Sequence, residues 1–129
     1  MDIKPTKILL VEDSTSDAIL MEEMLTGVED FPHSVQHVES LKQSKEQLAG
    51  TKYDAIILDL SLPDSTGLQT YTTMRSMAPD IPIIIMTGND DRTQLVAAMN
   101  NGADNYLIKD KVDGSRIAIA ILSAIRNRL

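Results

Sequence analysis

The sequence predicts an α/β domain whose core is a doubly wound parallel sheet with helices on both faces. Short, continuous apolar runs rich in β-branched residues recur along the 129 residues, as is typical of strands that are buried on both faces. Each run is followed by a segment whose apolar residues recur every three or four positions, which is the period of a helix packed on a sheet. Such a chain closes most simply as parallel strands joined by right-handed crossover helices.

Four of the five runs predict apolar strands that lie mostly inside the sheet, and the fifth, which is weaker, predicts an edge strand. The apolar strands are expected at residues 8–11, 55–58, 83–86 and, as a shorter strand, 106–108. The run at 34–38 is half polar, which suits a strand with one unpaired edge. The resulting (βα)5 chain is expected to adopt the flavodoxin-like sheet order 2-1-3-4-5, which puts the half-polar second strand at an edge.

The intervening segments predict five helices. Apolar stripes are formed by Ala18, Met21 and Leu25, by Leu68, Tyr71, Met74 and Ala78, by Leu95 and Met99, and by Ile117, Ile121, Ala124 and Ile125. The segment 41–48 has the weakest stripe. Gly50 and Gly102 predict helix C-termini, because glycine readily adopts the left-handed conformation that ends many helices. Ser65 and Ser115 are expected to be N-caps.

Composition excludes several classes of function. The chain has 12 Lys plus Arg against 19 Asp plus Glu, a formal net charge of −7, which disfavours direct binding of nucleic acid or an anionic membrane. It contains no cysteine, which excludes disulfides and cysteine-based catalysis or metal ligation. No segment approaches the ~18 apolar residues of a membrane span. We therefore expect one cytoplasmic domain over residues 1–129, with no output domain in this chain.

Polar residues follow the buried strands at their carboxyl ends, where open α/β sheets bind ligands. These residues are Glu12, Asp13, Asp59, Thr87 and Lys109. Three carboxylates gathered at one edge of the sheet repel one another unless a cation binds, and hard oxygen ligands favour Mg²⁺. The ion and the lysine would balance the three negative charges and could receive a phosphoryl group. One carboxylate could then act as a nucleophile and form an acyl phosphate.

Four sequence blocks contain these residues. They are LLVED at 9–13, ILDLSLPDSTG at 57–67, PIIIMTG at 82–88 and GADNYLIK at 102–109. In their order and spacing the blocks resemble the receiver domain of two-component response regulators, over residues 7–126. The resemblance implies a phosphoacceptor signalling domain of a phosphorelay rather than an enzyme, one that catalyses only its own phosphorylation and dephosphorylation.

The resemblance also implies a role for each residue at the edge of the sheet. Asp59 would accept the phosphoryl group from a histidine kinase or a phosphotransfer protein. Glu12, Asp13 and the backbone carbonyl of Ser61 would hold Mg²⁺ together with Asp59.

A conformational switch is implied as well. Thr87 and Lys109 would contact the phosphoryl oxygens, and Tyr106 would change rotamer as Thr87 moves. New negative charge would thereby favour one of two conformations of the face between the fourth strand and the last helix. A downstream effector, a fused output domain, or a second copy in a homodimer formed on phosphorylation would recognise that face. The sequence leaves open whether the domain stands alone or is part of a larger protein.

Two positions depart from the family pattern. The acidic pair is Glu12 and Asp13 instead of two aspartates, which keeps the charge. Asp110 follows Lys109 where the family usually has a proline, often in a cis bond. A cis bond before any other residue costs about 2.5–4 kcal/mol, so we expect this loop to run differently.

Three other interpretations compete with the receiver. A pseudo-receiver that binds partners without being phosphorylated would share the whole pattern. A flavodoxin-type protein would share the fold, but the acidic first loop, Asp17 included, would repel a flavin phosphate. A phosphatase of the haloacid dehalogenase type needs a second acid two residues after the nucleophile, where this chain has Ser61. His33 and His37 lie on or beside the edge strand and are expected to be solvated.

Overall fold

The structure is a computed structural model that describes residues 4–88 and 92–129. Strands and helices alternate along these residues. In chain order they are β1 (Thr6–Val11), α1 (Thr15–Thr26), β2 (His33–Val38), α2 (Leu41–Gly50), β3 (Ala55–Asp59), β4 (Ser61–Leu62), β5 (Ser65–Thr66), α3 (Leu68–Met77), β6 (Ile83–Thr87), α4 (Arg92–Asn100), β7 (Asn105–Ile108), a single 3₁₀ turn (Lys109–Lys111) and α5 (Gly114–Asn127).

The predicted fold class is confirmed. Five strands form one parallel sheet in the order β2-β1-β3-β6-β7. This is the predicted order 2-1-3-4-5, because β6 and β7 are the fourth and fifth strands of the sheet. The half-polar strand β2 lies at an edge, as predicted, and pairs with β1 in parallel register from Thr6 opposite His33 to Val11 opposite Val38.

Two layers of helices cover the sheet, and alternate strand residues pack against each layer. Leu9 and Val11 belong to the core beneath α2, α3 and α4. Ile8 and Leu10 belong to the core beneath α1 and α5. Because both faces of β1 are buried from residue 8 to residue 11, an apolar residue is favoured at each of these positions, which explains the continuous apolar run. Within the described ranges, no helix is long and apolar enough to cross a membrane.

A short hairpin that the sequence did not predict separates β3 from α3. In it, β4 and β5 pair antiparallel, with Ser61 opposite Thr66 and Leu62 opposite Ser65. Gly67 follows with a φ of +72°, a conformation that glycine adopts without strain. Strands of two residues are too short to show an alternating pattern. The hairpin nevertheless matters, because it brings the backbone of Ser61 beside the end of β3.

The two predicted N-caps are wrong. Ser65 lies in β5, where its hydroxyl forms a hydrogen bond with the hydroxyl of Thr70. Helix α5 is capped by Asp113 rather than Ser115, because the Asp113 carboxylate accepts a hydrogen bond of 2.8 Å from the backbone N–H of Arg116. An aspartate two residues upstream therefore takes the role that was assigned to the serine.

The predicted glycine helix ends are correct in position but differ in conformation. Gly102 has a φ of +104° beyond the end of α4, as expected of a glycine stop. Gly50 is the last residue of α2 and does not have a positive φ. That helix ends instead because Thr51 is extended, with a φ of −141°.

Candidate functional site

The parallel sheet brings the five predicted site residues to one edge. Glu12 and Asp13 follow β1, Asp59 and Thr87 are the last residues of β3 and β6, and Lys109 follows β7 directly. These four strands are neighbours in the sheet. Their carboxyl ends therefore form one continuous rim, and residues from distant parts of the chain come together along it.

Three carboxylates on this rim form a cluster. Glu12, Asp13 and Asp59 each offer an oxygen atom, and these atoms all lie within 4.8 Å of one another. Glu12 and Asp59 are buried, whereas Asp13 is exposed. A set made only of hard oxygen donors, open to water on one side, suits Mg²⁺, which keeps several waters in its octahedral shell.

The buried carboxyl group of Glu12 is only partly satisfied. Its Oε2 accepts a long hydrogen bond of 3.3 Å from the backbone N–H of Ser14. Its Oε1 lies 2.5 Å from Lys109 Nζ as an ion pair. Burial, reinforced by the neighbouring Asp59, raises the pKa of Glu12 from 4.5 to about 8. A buried carboxyl group beside a second carboxylate fits the role of a cation ligand, because a bound cation would stabilise its charged form.

The carboxylate of Asp59 is held at both oxygens. Its Oδ1 accepts a hydrogen bond of 2.9 Å from the backbone N–H of Ser61. Its Oδ2 accepts one of 2.9 Å from Lys109 Nζ. The hairpin that begins at Ser61 and the turn that follows β7 thus fix the orientation of this group between them.

Lys109 connects the carboxylates. Besides Asp59 and Glu12, its Nζ lies 3.2 Å from Oδ2 of Asp17 in α1. Burial by itself would lower the pKa of Lys109, but the contacts with Glu12 and Asp59 outweigh it, so the pKa is raised and the side chain is cationic. The departure at Asp110 does not prevent this placement. The described peptide bonds, including Lys109 to Asp110, are trans, and a 3₁₀ turn over Lys109–Lys111 carries the lysine into the site.

Thr87 and Tyr106 lie on the neighbouring strands β6 and β7 in different environments. Thr87 is 2% exposed, and its hydroxyl has no hydrogen-bond partner among the described atoms. Tyr106 is 48% exposed. Its side chain lines an open groove of about 720 Å³ between α4, β7 and α5, together with Val96 and Ile119.

Two residues near the site were not assigned to it from the sequence. Asp17, noted only as part of an acidic loop, lies in the first turn of α1 and pairs with Lys109; the readable signal was an acidic residue in the first turn of the helix that follows Glu12 and Asp13. His37 was expected to be solvated. It is half-buried instead, and its Nε2 lies 2.6 Å from the backbone carbonyl oxygen of Glu12. This contact depends on the pairing register of β1 and β2, which the sequence does not reveal.

Together, fold and site define a class: a flavodoxin-like α/β domain with an acidic, lysine-containing site at the carboxyl edge of its sheet. The family model of the response regulator receiver domain matches residues 8–121. The chain therefore belongs to the receiver domain family of response regulators, which are components of two-component systems. Receiver domains are signalling domains rather than conventional enzymes.

Curated relatives and a solved structure agree with this assignment. The chain is 31% identical over 103 residues to the transcriptional regulatory protein BasR of Escherichia coli (strain K12), covering 80% of this chain and 45% of BasR. It is 32% identical over 117 residues to the regulatory protein LuxO of Vibrio cholerae, covering 91% of this chain and 25% of LuxO. The chain thus spans less than half the length of these relatives. A crystal structure of a sensor protein from Polaromonas sp. JS666 superposes with a TM-score of 0.81 at 27% identity, covering 98% of this chain and 100% of that one.

Proposed function

We propose that this domain receives a phosphoryl group on Asp59 from a histidine kinase or a phosphotransfer protein. The observation that carries the proposal is the fixed orientation of the Asp59 carboxylate, which is 5% exposed and held by Ser61 N–H and Lys109 Nζ. A carboxylate whose rotation is restrained in this way is prepared for attack on phosphorus, because little orientational freedom remains to be lost in the transition state.

The proposed transfer forms one bond and breaks one. A carboxylate oxygen of Asp59 attacks the phosphorus of a phosphohistidine, and the bond from phosphorus to the donor imidazole nitrogen breaks with its electron pair left on nitrogen. The product is an aspartyl phosphate, a mixed anhydride that water later cleaves at phosphorus. Lys109, already within hydrogen-bond distance of Asp59, would neutralise the charge on the transferred oxygens.

The proposal includes a magnesium site formed by Glu12, Asp13, Asp59 and the backbone carbonyl of Ser61. When bound, the ion supplies positive charge for the phosphoryl oxygens. Support comes from the oxygen-only cluster and from the complete burial of Glu12, whose charged form a cation would stabilise.

The switch is proposed to run from Thr87 to the groove beside Tyr106. A phosphoryl oxygen on Asp59 would give the buried Thr87 hydroxyl an acceptor, and a displacement of β6 would pass to its neighbour β7. A downstream effector, a fused output domain or a second copy would then distinguish the two states of the groove. Because histidine kinases use cytoplasmic ATP, the domain would act in the cytoplasm.

The experiment that tests the phosphoacceptor is intact-mass measurement after incubation with acetyl phosphate and Mg²⁺. We expect the native chain to gain one phosphoryl group, and Asp59→Asn or the native chain with chelator to gain none. Asp80→Asn makes the same substitution at an exposed turn residue outside the site and should be phosphorylated like the native chain. A folded native protein that gains no mass would contradict the proposal and favour the pseudo-receiver.

A further inference from the structure

His37 connects the edge strand to the acidic loop. Strand β2 contacts the backbone of Glu12, the residue after β1, at two points. The N–H of Glu12 donates to the carbonyl of Val38 at 2.9 Å. The carbonyl oxygen of Glu12 lies 2.6 Å from His37 Nε2. Only the first contact belongs to the backbone ladder. The second depends on which side chain occupies position 37.

We propose that His37 is a positioning residue for magnesium, acting through its Nε2–H bond to the Glu12 carbonyl. This inference rests on the proposed function, since it concerns the same metal site. Because the peptide bond is planar, the orientation of the Glu12 carbonyl also sets the orientation of the Asp13 N–H and the direction in which the chain leaves β1. Asp13 is the exposed member of the carboxylate cluster. His37 therefore restrains Asp13, which is the proposed ligand that packing holds least.

The identity of the bonding atom makes the inference testable. Glutamine carries its amide nitrogen about as far from the backbone as Nε2 of histidine, whereas the shorter asparagine reaches only as far as Nδ1. His37→Gln can therefore still donate to the Glu12 carbonyl, and His37→Asn cannot. Both replacements are polar amides on a half-buried edge strand, so they differ chiefly in whether the donor reaches the carbonyl.

His33 is the matched control on the same strand. Its Nδ1 lies 2.8 Å from the carbonyl oxygen of Phe31, and its ring stacks on the Phe31 ring with centroids 5.1 Å apart. It stands at the opposite end of β2 from His37's contact with the acidic loop. His33→Asn should therefore leave the metal site unchanged.

The test is calorimetric titration with Mg²⁺ alone, without phosphoryl donor, on native protein and the three variants, with urea unfolding as the check on folding. We expect His37→Asn to weaken Mg²⁺ binding about three- to tenfold, the size expected for one hydrogen bond that supports a ligand. His37→Gln and His33→Asn should stay within about twofold of native. Nitrogen-15 NMR of the imidazole should show His37 as the Nε2–H tautomer.

Native-like Mg²⁺ binding by His37→Asn, an equal loss in His37→Gln, or an Nδ1–H tautomer of His37 would each overturn the inference. These outcomes are distinct from failure of the proposed function, which the mass experiment measures separately. If the native chain is phosphorylated and binds Mg²⁺ while His37→Asn binds it equally well, the inference alone falls. If the native chain binds no Mg²⁺, the metal site and the inference fall together.

Discussion

Glu12 is a carboxyl group that folding removes from water completely, with 0% of the residue exposed. Burial favours its neutral form, yet the proposed metal site requires the charged form. The conflict appears as a pKa that burial raises to about 8 from 4.5. Because the folded protein binds this proton more tightly than the unfolded chain, Glu12 favours folding most below its unfolded pKa, and this contribution is lost as the pH rises through the folded pKa.

The first prediction concerns the pH dependence of stability in chelator. Between pH 4.5 and 8, the two pKa values of Glu12, the native chain should lose about 2–4 kcal/mol of unfolding free energy relative to Glu12→Gln, which cannot ionise. Added Mg²⁺ should reverse the loss in the native chain, because it binds the charged form. Urea unfolding across this range measures both effects. Parallel pH profiles for the two proteins would show that Glu12 ionises without penalty.

The residues of the candidate site differ in how far the sequence alone could reveal them. Asp59 and Lys109 could be assigned to one site because each comes directly after an apolar run in the sequence. The predicted sheet order then places the ends of these runs at the same edge of the sheet. His37 could not be assigned. Its partner is the backbone carbonyl of Glu12, just after β1. Every residue has a backbone carbonyl, so the sequence does not indicate which one a side chain will contact. The outcome depends on the pairing register of β1 and β2, which a half-polar strand specifies only weakly.

At the scale of elements, the contact between α1 and α5 depends on one glycine. A Cβ added at Gly114 would clash with the backbone oxygen of Met24 and would lie 2.8 Å from Cγ2 of Val28. The first of these atoms belongs to the backbone of α1, so it cannot move without moving the helix. The glycine is therefore required for close packing rather than for its backbone conformation.

Gly114→Ala should destabilise the protein by about 1–3 kcal/mol, because overpacking at the start of α5 outweighs the better helix propensity of alanine. Gly50→Ala is the matched control at the last residue of α2, where an added Cβ meets nothing within 4 Å. That variant should be neutral or slightly stabilised. Urea denaturation of both variants decides the question, and an unchanged midpoint for Gly114→Ala would mean that α1 and α5 separate at little cost.

Asp104 joins several elements just before β7. Its Oδ2 accepts hydrogen bonds from the backbone N–H of Ile83 at 2.8 Å and from Arg75 at 2.7 Å, and its Oδ1 accepts one from Arg128 at 2.6 Å. Burial alone would raise the pKa of this carboxyl group, but the three donors outweigh it and hold the pKa below 3.8. The contribution of Asp104 to the free energy of unfolding is therefore fully present above the ordinary pKa of the group. It is lost as the pH falls through the lowered pKa of the folded protein.

Asp104→Asn should therefore cost about 2 kcal/mol of unfolding free energy near neutral pH, because the amide nitrogen would face arginine donors. The difference from the native chain should shrink as the pH falls below 3.8, the ordinary pKa of the group. Thermal or urea unfolding at several pH values tests this. A difference that stays constant into acid would mean that the charge of Asp104 contributes nothing.

Long elements were predictable and short ones were not, for a physical reason. A strand such as β6, Ile83–Thr87, is buried on both faces, so its positions before the site residue Thr87 are all apolar and the run is visible. The hairpin of β4 and β5 has two residues in each strand, which gives no period. Helix caps depend on which of several neighbouring polar side chains reaches an N–H, and at α5 Asp113 reaches it.

On the scale of the whole molecule, the fold connects a buried chemical site to an exposed surface through two strands. Thr87 ends β6 in the interior, and Tyr106 on β7 lines the groove between α4 and α5. The two strands are paired in register, with Ile85 opposite Tyr106 and Thr87 opposite Ile108. A change at the end of β6 therefore has a direct, hydrogen-bonded route to the groove, provided that the Thr87 hydroxyl senses the phosphoryl group.

The last prediction isolates that hydroxyl by comparing Thr87→Val, which keeps the shape and removes the Oγ1, with Thr87→Ser, which keeps the Oγ1. Beryllofluoride with Mg²⁺, an analogue of the phosphoryl group on Asp59, should shift the amide NMR signals of Tyr106 and of α5 in the native chain and in Thr87→Ser. In Thr87→Val the analogue should still bind, but these shifts should be largely lost, because the buried hydroxyl that has no partner among the described residues is gone. Equal shifts in Thr87→Val would show that the groove responds through another route.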